Sequence, residues 1–101
     1  MKNISVKELK SRLDAGETIN LLDVRQPEET AEFNIGGIAL PLGQIQRMQT
    51  DEIEDWRDQE IICYCRSGNR SGIAAILLEE MGFSDVKNLT GGMLKWKELI
   101  K

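Results

Sequence analysis

Residues 63–72, CYCRSGNRSG, place two cysteines two residues apart, two arginines within the next five positions, and Ser, Gly and Asn between them. A thiol next to positive charge is the combination that makes a sulfur nucleophile, because the thiolate is the reactive form. At an ordinary thiol pKa only about 3% is ionised at pH 7. A helix N-terminus supplies up to about 2 kcal/mol in a partly buried geometry, a little over one pKa unit. Nearby guanidinium groups and N–H donors add to that. The reading is that Cys65 is held as a thiolate and that Arg66 and Arg70 draw anionic partners to it. Cys63, inside the apolar run, reads as an inert small hydrophobe. The two thiols are expected on opposite faces, with a disulfide between them disfavoured.

The composition excludes most other chemistry. The chain has no histidine, so no Ser–His or Cys–His pair can form. Two cysteines without histidine do not complete a structural zinc set, and no metal or organic cofactor is expected. A net charge of −4 and only 5% aromatic residues argue against nucleic acid or an anionic membrane as partner. No apolar run reaches the roughly 20 residues of a membrane span. The opening MKNISVKELK lacks the apolar stretch of a secretory signal, so the expectation is cytoplasmic. At 101 residues, a single domain over 1–101 is expected.

The elements that must position the cysteine follow from periodicity and punctuation. Ser5 with Glu8 is a capping pattern opening a helix whose stripe is Val6, Leu9 and Leu13, with Gly16 as its stop. Residues 19–24 (INLLDV) read as a strand ending near Asp23, and 27–33 as a short helix begun by Pro27. Residues 37–42 (GIALPL) read as a strand, and 43–58 as a weak helix with Ile45, Met48, Ile53 and Trp56 facing inward. Residues 60–65 (EIICYC) are the most apolar strand. Residues 71–83 are the clearest helix, capped by Ser71, with Ile73, Ala74, Leu77, Leu78 and Met81 on its inner face. A last strand over 86–89 and a closing helix with Leu94, Trp96 and Leu99 as core contacts complete the chain. Strands alternating with helices imply a parallel α/β sheet, and such sheets gather their chemistry at the carboxyl ends of the strands. Cys65 falls at such an end. The turn through Ser67, Gly68 and Asn69 aims backbone N–H groups inward as an anion-binding nest.

Four segments resemble, in order, the signatures of the rhodanese-like domain family: LLDVRQPEE (21–29), FNIGGIALPL (33–42), CYCRSGNRS (63–71) and NLTGGMLKW (88–96). The resemblance spans nearly the whole chain. It implies a three-layer α/β sandwich with a five-stranded parallel sheet flanked by helices. It also implies a single-domain sulfurtransferase that takes sulfane sulfur from thiosulfate or a related donor, as a persulfide on Cys65, and passes it to cyanide or a thiol. By matching position, the backbone of residues 66–71 (Arg66, Ser67, Gly68, Asn69, Arg70, Ser71) would cradle the outer sulfur. Arg66 and Arg70 would bind the anionic donor, and Ser71 would hydrogen-bond near the sulfur. Asp23 and Arg25 occupy signature positions and read as ion pairs bracing the neighbouring loops, with Glu28 or Glu29 as partner of Arg25. Asn34 stands where many members carry histidine, and Gly37-Ile38 replaces the common Gly-Ala.

Two rival readings remain at this level. A persulfide carrier or adaptor would use the same cysteine but receive sulfur from a protein donor and dock to a partner enzyme. A cysteine phosphatase or arsenate reductase commonly has five residues between Cys and Arg. Here four separate Cys65 from Arg70, a ring better suited to one sulfur atom than to a tetrahedral oxyanion.

Overall fold

The computed structural model describes residues 1–100. Five strands, β1 (Lys2–Ile4), β2 (Asn20–Asp23), β3 (Ile38–Ala39), β4 (Glu60–Tyr64) and β5 (Asp85–Leu89), form one sheet in the order β1-β5-β4-β2-β3. Every pairing is parallel. Helices α1 (Val6–Asp14), α2 (Pro27–Glu32), α3 (Leu42–Gln46), α4 (Asn69–Glu80) and α5 (Gly92–Leu99) make the connections, with a 3-10 segment over Asp51–Trp56. The protein is thus the expected three-layer α/β sandwich.

β4 is central, and its pleat builds both cores. Ile61, Cys63 and Cys65 face one side with Ala74, Ala75 and Leu78 of α4 and Ile45 of α3. Ile62 and Tyr64 face the other with Leu9 of α1 and Met93 and Trp96 of α5. Side chains two residues apart on a strand share a face, so Cys63 and Cys65 lie on the same side rather than on opposite ones. Both are free thiols. Each fully buried aliphatic side chain in these layers contributes on the order of 1.5–3 kcal/mol.

Several elements differ from the sequence reading, each for a local reason. β1 carries one buried residue in three, too little pattern to read as a strand; the register Ile4↔Leu89 along β5 makes it one. The strand expected over 37–42 shrinks to Ile38–Ala39, because Pro41 turns the chain into α3. The weak helix over 43–58 breaks into α3 and the 3-10 segment, and Met48 between them is exposed with φ 61°. α4 begins at Asn69, so its N-cap is Gly68, not Ser71. Its buried face is Ala74, Ala75 and Leu78 while Ile73 is exposed; in α5, Met93 and Trp96 are buried while Leu94 and Leu99 are exposed. Ser5 accepts from the Glu8 N–H, capping α1 as the pattern indicated.

Candidate active site

Cys65 follows β4 directly and is only 1% exposed. The chain then turns through Arg66 and Ser67 to Gly68, whose φ of 102° belongs to the left-handed region that favours glycine. That turn folds the start of α4 back over the sulfur. The Gly68 N–H donates to Cys65 Sγ at 3.1 Å, the Ser71 N–H at 3.4 Å and the Ser71 hydroxyl at 3.3 Å. Ser71 is the third residue of α4, buried, with its hydroxyl turned inward to the sulfur.

Burial pushes the Cys65 thiol up, since it disfavours the charged form. The Ser71 hydroxyl and N–H, then the N–H groups of Gly68 and Ser67, act the other way and leave the pKa below the ordinary thiol value. Cys63 has only burial and the neighbouring sulfur acting on it, and both drive its thiol upward. The two thiols, one in β4 and one just after it, are thereby shifted in opposite directions, according to whether a turn of N–H donors reaches them.

The two arginines expected to bind the anionic donor sit in different surroundings. Arg70 makes a two-point bridge to Glu29, with Nη1 to Oε1 at 2.7 Å and Nη2 to Oε2 at 2.8 Å. The Arg70 hydrogen bonds hold the Glu29 carboxyl at a pKa of about 2. Arg70 stays within electrostatic reach of Cys65, but its charge is shared with a carboxylate. Arg66 is exposed and has no carboxylate partner among the described residues. It borders a cleft of about 320 Å³ between the end of α2 and α5, with Glu29, Phe33 and Lys97 on its walls. Ser67 and Asn69 are exposed.

Arg25 does not pair with Glu28 or Glu29. Its guanidinium forks onto Asp23, with Nε to Oδ1 at 2.9 Å and Nη2 to Oδ2 at 2.8 Å, and it also donates to the Phe33 carbonyl. The two residues flank one turn after β2, so the short span decides the partner. Thr30 donates to Asp23 Oδ2, which ties α2 to the same turn. Burial raises the Asp23 pKa, but the Arg25 and Thr30 hydrogen bonds outweigh it and leave the carboxyl ionised. Asn34, at the position of the common histidine, donates to the Thr30 carbonyl and accepts from the Gly36 N–H.

The floor of the loop is set by α5. Met93 N–H donates to the Cys65 carbonyl and Leu94 N–H to the Arg66 carbonyl, both at 2.9 Å. A Cβ at Gly92 would lie 2.4 Å from the Cys65 carbonyl oxygen, so that contact requires glycine.

The Rhodanese-like domain family profile matches residues 5–99. The chain belongs to the rhodanese-like domain family. A sulfurtransferase of Allochromatium vinosum is 35% identical over 97 residues, covering 95% of this chain and 88% of that protein. The "Putative sulfur carrier protein YrkF" of Bacillus subtilis is 36% identical over 94 residues, or 92% of this chain, which spans about half (49%) of that protein. Among solved structures, a rhodanese-like domain protein from Staphylococcus aureus superposes with a TM-score of 0.81 at 31% identity, covering 95% of this chain and 91% of that one. These relatives support a rhodanese-type sulfur transfer. Among the described residues, no group of three or more His, Cys, Asp or Glu is placed to hold a metal, and no helix is long and apolar enough to cross a membrane.

The structure brings Cys65, Gly68 and Ser71 together and keeps Arg66 at the rim. Asn88, which the motifs did not single out, touches the Ser71 hydroxyl from β5. It opens the segment NLTGGMLKW, but only the parallel register of the folded sheet, which pairs Cys63 with Asn88, brings the carboxyl end of β5 beside that of β4.

Proposed function

We propose that the protein is a single rhodanese-like domain acting as a sulfurtransferase, with Cys65 as nucleophile and thiosulfate or a similar sulfane anion as donor. The observation that carries this reading is the trio of donors converging on one sulfur in a chain without imidazole. Cys65 thiolate attacks the outer sulfur of the donor. A bond forms between Sγ and that sulfur, the donor's own bond to it breaks, and the electron pair leaves with sulfite. The enzyme then carries a persulfide on Cys65. A cyanide or thiolate acceptor attacks the terminal sulfur, and the Cys65 thiolate departs as leaving group, which gives ping-pong kinetics. The N–H groups of the 66–71 loop stabilise the charge as it moves outward by one sulfur, much as an oxyanion hole serves an oxygen. Arg66 at the rim attracts the anionic donor, and Asp23 with Arg25 braces the neighbouring turn. No cofactor enters the scheme.

Incubation with thiosulfate, read by intact mass, should add one sulfur atom to the wild type and none to Cys65→Ala. Cyanide should then remove it and release thiocyanate. An unloaded wild type, or a Cys65→Ala protein that still forms thiocyanate, overturns the reading. The sulfur-carrier name borne by one relative favours a second reading, a persulfide carrier that docks to a partner enzyme. Loading by a persulfidated protein together with poor loading by thiosulfate is the result that selects it.

A further inference from the structure

Beyond the sulfur cradle itself, the side chain of Asn88 stands in an arrangement that a structural amide does not require. Asn88 is 8% exposed on β5, and it hydrogen-bonds through Oδ1 with the Ser71 hydroxyl. That hydroxyl also lies 3.3 Å from Cys65 Sγ. A serine hydroxyl has one proton and accepts as well as donates. It therefore cannot donate to Sγ and to Oδ1 at once.

The two protonation states of Cys65 resolve the conflict in opposite ways. When the sulfur carries its proton, S–H can donate to Ser71 Oγ, and Ser71 can donate to the amide oxygen of Asn88. When the sulfur is a thiolate it only accepts. Ser71 must then give its proton to sulfur, and its oxygen is best satisfied by a donor from behind. The amide NH₂ of Asn88, turned by half a rotation about its last torsion, is such a donor and fills the same space. The flip exchanges nitrogen and oxygen within one outline, and the backbone beside the nitrogen does not crowd it: even a Cβ built at Gly68 or Gly72 would lie at ordinary contact distance from it, 3.8 or 3.5 Å.

We propose that Asn88 is a positioning residue that reverses its amide with the charge on Cys65 and thereby aims the Ser71 proton at the thiolate. The proposal deepens the reading of Cys65 as nucleophile and rests on it. A hydrogen bond to a charged group is stronger than one to a neutral group, so the relay favours the thiolate over the thiol. Asparagine is suited to this because one end of its amide donates and the other accepts. Aspartate has the same shape but, ionised, can only accept.

The test is the pH dependence of alkylation by iodoacetamide, read on the Cys65 peptide of the intact folded protein. The set is wild type, Ser71→Ala, Asn88→Ala, Asn88→Asp and the Ser71→Ala/Asn88→Ala double variant. Losing the Ser71 donor should raise the inflection by about one pH unit, a tenfold loss of thiolate below it. Asn88→Asp should raise it at least as far, because an ionised carboxylate takes the Ser71 proton for itself. Asn88→Ala should raise it by less, and should add nothing in the Ser71→Ala background. Asn88→Asp preserves shape, so a folding defect in Asn88→Ala does not remove the test. Wild-type inflections in both Asn88 variants overturn the relay, as does an Asn88→Ala shift that persists undiminished without Ser71. Alkylation reads the thiolate whether or not sulfur is transferred. Failure of sulfur loading with an intact alkylation pattern would therefore count against the proposed function and leave the relay standing.

Discussion

Arg66 in the turn after β4 and Arg70 in the first turn of α4 have different electrostatic situations, and that difference is measurable. Arg70 is pinned by Glu29 through two short hydrogen bonds, so its outward field is largely cancelled; Arg66 has no such partner among the described residues. An unpaired charge at the mouth of a cleft steers an incoming anion more than a compensated one does. In steady-state assays with thiosulfate, Arg66→Ala should raise KM several-fold and flatten its dependence on salt. Arg70→Ala should act mainly on stability, through loss of the Glu29 bridge. Equal KM effects in the two variants would contradict this division. The loop was legible in the sequence as far as Cys65, because an apolar strand followed at once by a glycine-bearing turn puts the thiol between them at the strand's carboxyl end. What was not legible was the choice of partners. Glu29 and Arg70 are 41 residues apart, and only the parallel sheet brings them together. Ser71 reads as a cap when the helix is begun at residue 71; begun at Asn69, the same hydroxyl points back to the sulfur. Neutral donors, not guanidinium groups, therefore do most to hold Cys65 below the ordinary thiol range.

At the scale of elements, the site depends on α5 as much as on α4. The amino end of α5 donates its Met93 and Leu94 N–H groups to the carbonyls of Cys65 and Arg66, fixing the backbone from which the cradle turns. Gly92 makes that approach possible, with φ 53° and no side chain in the way. Gly92→Ala sets a Cβ within 2.4 Å of the Cys65 oxygen; left-handed strain and overpacking together should cost about 2–4 kcal/mol. Urea unfolding should show that loss, and the surviving folded fraction should load sulfur poorly because the loop has shifted. An unchanged midpoint would mean that α5 is free to move away from the loop. The Gly-Gly pair was visible in the sequence as a motif, but its reason was not, since it lies in a contact between residues about 27 positions apart. Elements with dense patterns were legible closely, β4 to within one residue and α4 to within three. β1 was missed and β3 was read too long, over 37–42, because three- and two-residue strands owe their extended form to a neighbour's edge more than to their own sequence.

Across the whole molecule, the two ends of the sheet hold charge for different purposes. The carboxyl end carries the cradle, while the amino end carries a compact ion cluster centred on Glu60, where β4 begins. Glu60 bridges Arg12 of α1 and Lys87 of β5, at 2.6 and 2.7 Å, and so ties a helix and two strands at the end away from Cys65. The Arg12 hydrogen bonds, opposed by burial and aided by Lys87, hold the Glu60 pKa at about 2 against an ordinary 4.5. A carboxyl whose folded-state pKa is depressed stabilises the fold fully above its unfolded value and loses that contribution as pH falls through the folded one. The contribution of Glu60 should therefore be complete above about pH 5 and should fade between there and about 2. With the cluster about a quarter exposed, screening reduces its worth to roughly 1–2 kcal/mol. Glu60→Gln should be less stable than wild type by that amount at pH 7 in urea unfolding, with the gap closing as the pH is lowered toward 2. The alkylation profile of Cys65 should be the same in both proteins, because the cluster and the sulfur lie at opposite ends of β4. A gap that stayed constant with pH would assign the loss to altered packing instead of charge. A shifted thiol profile would mean that strain at one end of the sheet reaches the other.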